Sequence, residues 1–181
     1  MYEHKYKHGK QKAIMPLDSF KTKLEDSRIS LEKKAFVVLL WHTGARKSEA
    51  YELARESVAV LEDYVVVDFG KRKKGGEDVP ALHIPRAYYA VEPILVAYIK
   101  SKRTRLLFPH IKRDTAWRAV KQVLGEVYYP HYLRLRKLSE VGKHFGITHV
   151  KAISGIKSLK ALEAYIGYDE AIQKEAMEVS E

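Results

Sequence analysis

The stretch from Ser30 to Gly44 constrains the fold more than any other part of this 181-residue chain. Ser30 suits a helix N-cap, and Glu32 puts negative charge in the first turn, where the positive helix end favours it. Leu31, Ala35, Val38, Leu39 and Trp41 then predict a buried helix to about His42. Gly44 predicts its stop, because glycine enters the left-handed conformation that ends many helices. A buried helix needs a domain around it, and 181 residues are enough for one with a true hydrophobic core.

The rest of the chain supplies mostly helices. A second one begins near Ser48 and carries Ala50, Leu53 and Ala54. The texture then changes. Tyr64 to Phe69 is β-branched and aromatic and predicts a strand. Gly70 to Asp78 is a polar, glycine-containing turn, and Val79 to Ile84 returns as a strand bent or shortened by Pro80 and ended by Pro85. Helical periodicity resumes at about 88–101, 114–124 and 131–144. Gly146, Gly155 and Gly167 punctuate shorter helices at roughly 148–154 and 158–166. Residues 1–28 are basic and broken by Pro16, so they read as an arm or a short lead-in helix. The acidic tail, 168–181, has the composition of a helix. The expected fold class is α+β, mainly α: a helical bundle with a small antiparallel β-hairpin or sheet.

Composition narrows the function classes. Without cysteine there are no disulfides and no thiolate metal sites. His4 and His8 stand four apart with no carboxylate cluster beside them, so no metal site is expected. No apolar run is long enough to span a bilayer, and no apolar segment follows the basic start as in a secretory signal. A cytoplasmic protein is the expectation. Lys plus Arg is 33 against 23 Asp plus Glu, and this formal +10 favours a polyanionic partner through counterion release.

Four places carry residues that stand out as candidates for chemistry. In Thr43-Gly44-Ala45-Arg46, the arginine sits on a turn beside a helix start. A planar guanidinium there binds anions, with the helix end adding to it, and Glu49 is placed to hold Arg46. The plain alternative is a solvated loop arginine. Lys71, Arg72, Lys73 and Lys74 crowd the hairpin tip, as a mobile proton donor to a leaving oxygen, a phosphate clamp or a solvated charge run. His131 and Arg134 stand three apart on one helix and so share a face. Arg136 and Lys137 follow, in positions that more often face solvent. Tyr165 lies near a helix end, where a tyrosine usually packs half-buried.

The order and spacing of these places resemble the tyrosine recombinase (phage integrase) family over about residues 31–166. Thr43-Gly44-Ala45-Arg46 with Glu49 looks like its first arginine box, and Pro130-His131 with Leu133-Arg134 looks like its second. Arg134 to Tyr165 is 31 positions, which suits the family's tyrosine helix. Two positions depart. The family's second histidine, sometimes a tryptophan, falls on Ile156, next to Lys157. Leu135 stands where many relatives carry another histidine. These departures suggest a divergent branch, such as an integrase of an archaeal virus or plasmid. About 28 residues precede the match, which implies an excised catalytic fragment or a minimal protein.

The resemblance implies a domain plan: a basic arm over 1–28, a catalytic domain over 29–167, and a tail over 168–181 acting as a strap between subunits. It also implies a mechanism. Tyr165 attacks the scissile phosphate to form a 3′-phosphotyrosyl link and free a 5′-hydroxyl, without metal or other cofactor. Arg46 and Arg134 hold the non-bridging oxygens, and His131 shuttles the tyrosine proton. Lys74, with Lys73 and Lys71 as alternatives, protonates the leaving oxygen. Lys71, Arg72, Lys73, Arg136 and Lys137 are the expected DNA-binding residues, and Tyr168 is the alternative nucleophile. The implied partner is double-stranded DNA, bound by a homotetramer. Two rival functions remain: a DNA-binding relative without catalysis, which Ile156 favours, and a type IB topoisomerase-like enzyme that relaxes supercoils.

Overall fold

The computed structural model describes residues 15–70, 80–156, 158 and 162, and the backbone of 3–4 and 12–13. Its elements are β1 (Glu3–His4), β2 (Lys12–Ala13), α1 (Leu17–Leu24), α2 (Leu31–Thr43), α3 (Lys47–Tyr51), β3 (Val58–Val60), β4 (Tyr64–Val67), β5 (Leu82–Pro85), α4 (Ala97–Ser101), α5 (Arg113–Leu124), α6 (Pro130–Phe145) and α7 (Ile147–Ser154). A 3₁₀ turn (Arg55–Ser57) precedes β3, and a π-helical segment (Val91–Val96) precedes α4. This is the mainly helical α+β architecture that the sequence predicts.

Helix α2 is the axis of the domain. Ala35 through Trp41 are all buried, and α2 touches α3, α4, α5, α6, the π-helical segment and β5. Ser30 occupies its N-cap in extended conformation, and Gly44 ends it with φ 62° and ψ 20°. Aromatic rings fill the space around α2. Phe20 of α1 stacks on Trp41 at 3.8 Å, Phe36 meets Phe108 edge-on at 5.3 Å, and Tyr98 stacks on Phe108 at 5.4 Å. Near the chain start, β1 pairs antiparallel with β2, with Glu3 opposite Ala13.

The β-region is a three-stranded antiparallel sheet of order β3-β4-β5, one strand more than a hairpin. Val58 pairs with Val67, and Val65 with Ile84. All four side chains are buried while their neighbours point outward, as a half-buried sheet requires. Arg86 fastens the sheet to the π-helical segment. Its guanidinium donates to Glu92 at 2.6 and 2.9 Å and to the carbonyls of Leu61 and Glu62 at 2.9 and 2.7 Å. The hairpin turn that carries Lys71, Arg72, Lys73 and Lys74 lies outside the described residues.

Two elements differ from the sequence reading. Helix α3 stops at Tyr51, because Leu53 and Leu107 join their backbones and Ala54 bridges to Leu106, turning the chain into the sheet. The predicted helix over 88–101 begins with a π turn at Val91–Val96, which contains Pro93 and follows Ala90 at φ 63°. Proline lacks the N–H that a regular α turn uses.

Candidate active site

The end of α2 and the start of α6 build one pocket. At Thr43 the hydroxyl donates to the Leu39 carbonyl at 2.7 Å and accepts from the Ala45 N–H at 3.2 Å, which fixes the exit from α2. Gly44, left-handed, turns its carbonyl toward α6, where it accepts from the Arg134 guanidinium at 2.8 Å. A Cβ on Gly44 would lie 3.1 Å from the Lys137 Cβ. Two properties of glycine are therefore used here, the positive φ and the close approach.

Arg46 follows in extended conformation. Glu49 accepts from both the Arg46 backbone N–H, at 2.7 Å, and its guanidinium, at 2.6 Å. The Glu49 side chain is almost buried while a third of the Arg46 side chain stays open, so a fixed carboxylate aims a partly exposed cation. The sequence places Glu49 in this role, and the geometry agrees. The helix end contributes less than the side chain at the N-cap itself. Helix α3 has five residues, and the Arg46 N–H donates to Glu49, while Lys47 and Ser48 of its first turn line the same cavity as the Arg46 side chain.

Helix α6 supplies the other wall. Pro130 opens it, pre-set for a first turn. His131 and Arg134 lie on one face, and both line a cavity of about 360 Å³ together with Ala45, Arg46, Lys47, Ser48, Trp117 and Pro130. Arg134 is 4% exposed. Besides Gly44 it donates to the Ser154 carbonyl at 3.3 Å, so one guanidinium joins the ends of α2 and α7 across α6. His131 is exposed by area. Even so, desolvation against the pocket wall, and then the Arg134 charge, hold its imidazole below its ordinary range. At neutral pH it is therefore a free base able to take a proton.

Arg136 corrects the sequence reading. Two residues beyond Arg134 is a turn of about 200° on an α-helix, which carries Arg136 to the opposite side. It is 9% exposed, lies 3.5 Å over the Trp41 ring, and pairs with Glu140 at 3.1 Å. Lys137 is likewise half-buried, packed on Gly44. Neither is the solvent-facing cation expected from its position.

Ile156, where a donor is expected, packs half-buried against a small apolar cluster of Leu138, Val150 and Leu162. Its side chain carries no polar atom, and its backbone N–H donates to the Ser154 hydroxyl at 3.2 Å. Lys157 and Tyr165, with Tyr168, lie outside the described residues. Trp117 is the pocket residue that the sequence reading missed. A signal was present: Ala116, Ala119, Val120, Val123 and Leu124 form the buried stripe of α5, and Trp117 falls off it.

Cations and one neutral imidazole around a small open cavity can bind a phosphate diester, neutralise charge gathering on its oxygens and accept a proton. No helix among the described residues is long and apolar enough to cross a membrane.

The sequence matches no known family profile and no curated protein. Its fold does match solved structures. The XerH site-specific recombinase bound to difH substrate in a pre-cleavage complex superposes with a TM-score of 0.71, at 16% identity, over 99% of this chain and 55% of that one. The XerA recombinase gives 0.64 at 20% identity, over 94% and 64% of the two chains. A lambda integrase tetramer bound to a Holliday junction gives 0.58 at 13% identity, over 90% and 51%. The chain thus spans about half to two thirds of the length of these proteins and has the fold of their tyrosine-recombinase catalytic domains.

Proposed function

We propose that the chain is the catalytic domain of a tyrosine-type site-specific DNA recombinase, which breaks and rejoins strands through a 3′-phosphotyrosyl link to Tyr165. The observation that carries this reading is the convergence of Arg46, His131 and Arg134, drawn from two distant stretches of sequence, on one cavity in a recombinase fold. The basic composition and the DNA complexes among the structural neighbours support double-stranded DNA as the substrate.

In this reading the non-bridging oxygens of the scissile phosphate sit against Arg46 and Arg134. The Tyr165 oxygen attacks phosphorus, its proton passes to neutral His131, and the bond from phosphorus to the 5′-oxygen breaks. A hairpin lysine, Lys74 by preference and otherwise Lys73 or Lys71, gives a proton to that oxygen. Rejoining is the same sequence reversed, with a 5′-hydroxyl attacking the phosphotyrosine, so the phosphodiester energy is kept and no cofactor is consumed. Lys71, Arg72 and Lys73 hold DNA from the hairpin. Lys157, beside Ile156, adds positive charge near the tyrosine segment. Strand exchange between two duplexes calls for a homotetramer with the 168–181 tail as a strap.

A second reading, a DNA-binding relative without catalysis, is favoured by one observation: Ile156 is built into an apolar cluster where a phosphate donor is expected. One experiment separates the two. Duplexes with a bridging 5′-phosphorothiolate at a fixed position and randomised arms trap a covalent adduct, because the thiolate leaves and cannot return efficiently. Recombinase chemistry predicts an adduct with the intact chain and none with Tyr165→Phe. Retained DNA binding with no adduct from the intact chain would establish the second reading. Arg134→Ala should lose more adduct than Arg134→Lys, and wild-type yield from either variant would sink the phosphate role of Arg134.

A further inference from the structure

We propose that Trp117 is a substrate-contact residue, its indole stacking on the base of the nucleotide beside the scissile phosphate. The inference rests on the reading that the Arg46–His131–Arg134 pocket binds that phosphate, and it adds what fixes the neighbouring nucleotide.

The chain has two tryptophans, and they have opposite environments. Trp41 is 3% exposed, between the Phe20 ring and the Arg136 guanidinium. Trp117 is 44% exposed and lines the cavity that holds Arg46, His131 and Arg134. Ordinary packing does not account for it, because the face of α5 that meets the core is filled by small and branched residues, Ala116, Ala119, Val120 and Val123. The part of the indole still exposed is apolar area that a flat ligand would remove from water.

Its surroundings hold it in place. The Tyr129 ring stacks beside it, 6.4 Å between centroids at 29°, and Tyr129 is the N-cap residue of α6, two positions before His131. Lys121 Nζ lies over the ring, 4.4 Å from its centroid, and is itself paired with Glu126 at 2.7 Å, so a base stacking on that face displaces the ammonium toward the phosphate. An indole fixed this way loses little freedom when a flat ligand lands on it. Exposed Arg113 and Arg118 on the same helix, with Asp114 the one carboxylate among them, favour a polyanion alongside. A flat partner next to a phosphate, on a surface of arginine and lysine, is a nucleobase. Stacking requires that nucleotide to leave the duplex stack at the cleavage point, and base–aromatic stacking then tolerates any base, so Trp117 fixes geometry without selecting sequence.

The stacking also offers an account of how a site with Ile156 in place of a donor holds its substrate. The nucleotide is gripped through its base as well as its phosphate.

The test uses a duplex recovered by the phosphorothiolate capture. Variants of it carry a single abasic site at each position flanking the scissile phosphate. Trp117→Ala should slow adduct formation roughly tenfold on the intact duplex, the ordinary scale for one stacked base, while Trp117→Phe keeps most of the rate. On the duplex abasic at the stacked position, Trp117→Ala should cause no further loss. Tryptophan emission of the chain should be quenched by the intact duplex and not by that abasic one. An equal loss for Trp117→Ala on every duplex, or emission indifferent to all abasic positions, would overturn the stacking role while leaving the recombinase reading standing. Absence of any adduct from the intact chain would overturn both.

Discussion

Gly44→Ala tests how the pocket is assembled. At φ 62° a side chain with a Cβ pays about 1–2 kcal/mol for left-handed backbone that glycine adopts freely. The new methyl would also sit 3.1 Å from the Lys137 Cβ and 3.3 Å from its Cγ. The first of these atoms is fixed to α6, so relief requires the α2–α6 spacing to open. Together these should cost about 2 kcal/mol, which for a chain of this size lowers the melting temperature by about 4–8 °C. The Gly44 carbonyl is an acceptor for Arg134, so displacement should also reduce adduct formation beyond what lost stability explains. Gly44→Asn should recover part of the backbone cost, since asparagine tolerates the left-handed region, yet keep the contact with Lys137. Thermal melts and the phosphorothiolate adduct rate, measured on the same preparations, check both parts. An unchanged melting temperature with a wild-type rate for Gly44→Ala would refute the proposed geometry of the turn.

Two further outcomes follow from the fold. Burial holds the His42 imidazole down to about 4, with Lys137 and Arg136 adding to the depression and the Tyr89 carbonyl and Glu140 opposing it. Between pH 6.5 and 4 the unfolded chain binds the extra proton, so this contribution to stability is complete above pH 6.5 and is lost as pH falls toward 4. The upper bound is about 3 kcal/mol, and the real loss is smaller because part of the ring stays in water. Urea unfolding at pH 7.5 and 4.5 should show this loss, and His42→Gln should flatten it. Separately, Ala90→Gly relieves a left-handed alanine, 2% exposed at φ 63°, but gives up a buried methyl and frees the unfolded chain, so urea unfolding should change by less than about 0.5 kcal/mol, whereas Ala90→Val should destabilise by more than about 1 kcal/mol.

The parts of this molecule that were legible in the sequence are those with a local physical signature. Gly44 announced the end of α2 because few other residues enter its backbone region. His131 and Arg134 announced a shared face because three residues nearly complete a helical turn, and the same geometry shows why Arg136 was misjudged. Its inward turn onto Trp41 follows from helix phase, but the partner that makes burial affordable comes from another helix. Strand β3 escaped because three residues after a 3₁₀ turn carry too little alternation to read. The Ser154 carbonyl beneath Arg134 could not be found at all, since a backbone oxygen has the same chemistry at every position and only the fold chooses which one is used. Trp117 was visible as an aromatic off the apolar stripe, but its neighbours in the pocket come from the α2–α3 turn, α3 and α6.

The central claim is that a tyrosine of this chain becomes bonded to DNA, and the most direct measurement is the identity of the bonded residue. The phosphorothiolate adduct, digested with nuclease and protease and read by tandem mass spectrometry, should carry its nucleotide remnant on Tyr165. A remnant on Tyr168 or any other side chain, or an adduct that persists in Tyr165→Phe, would contradict the account.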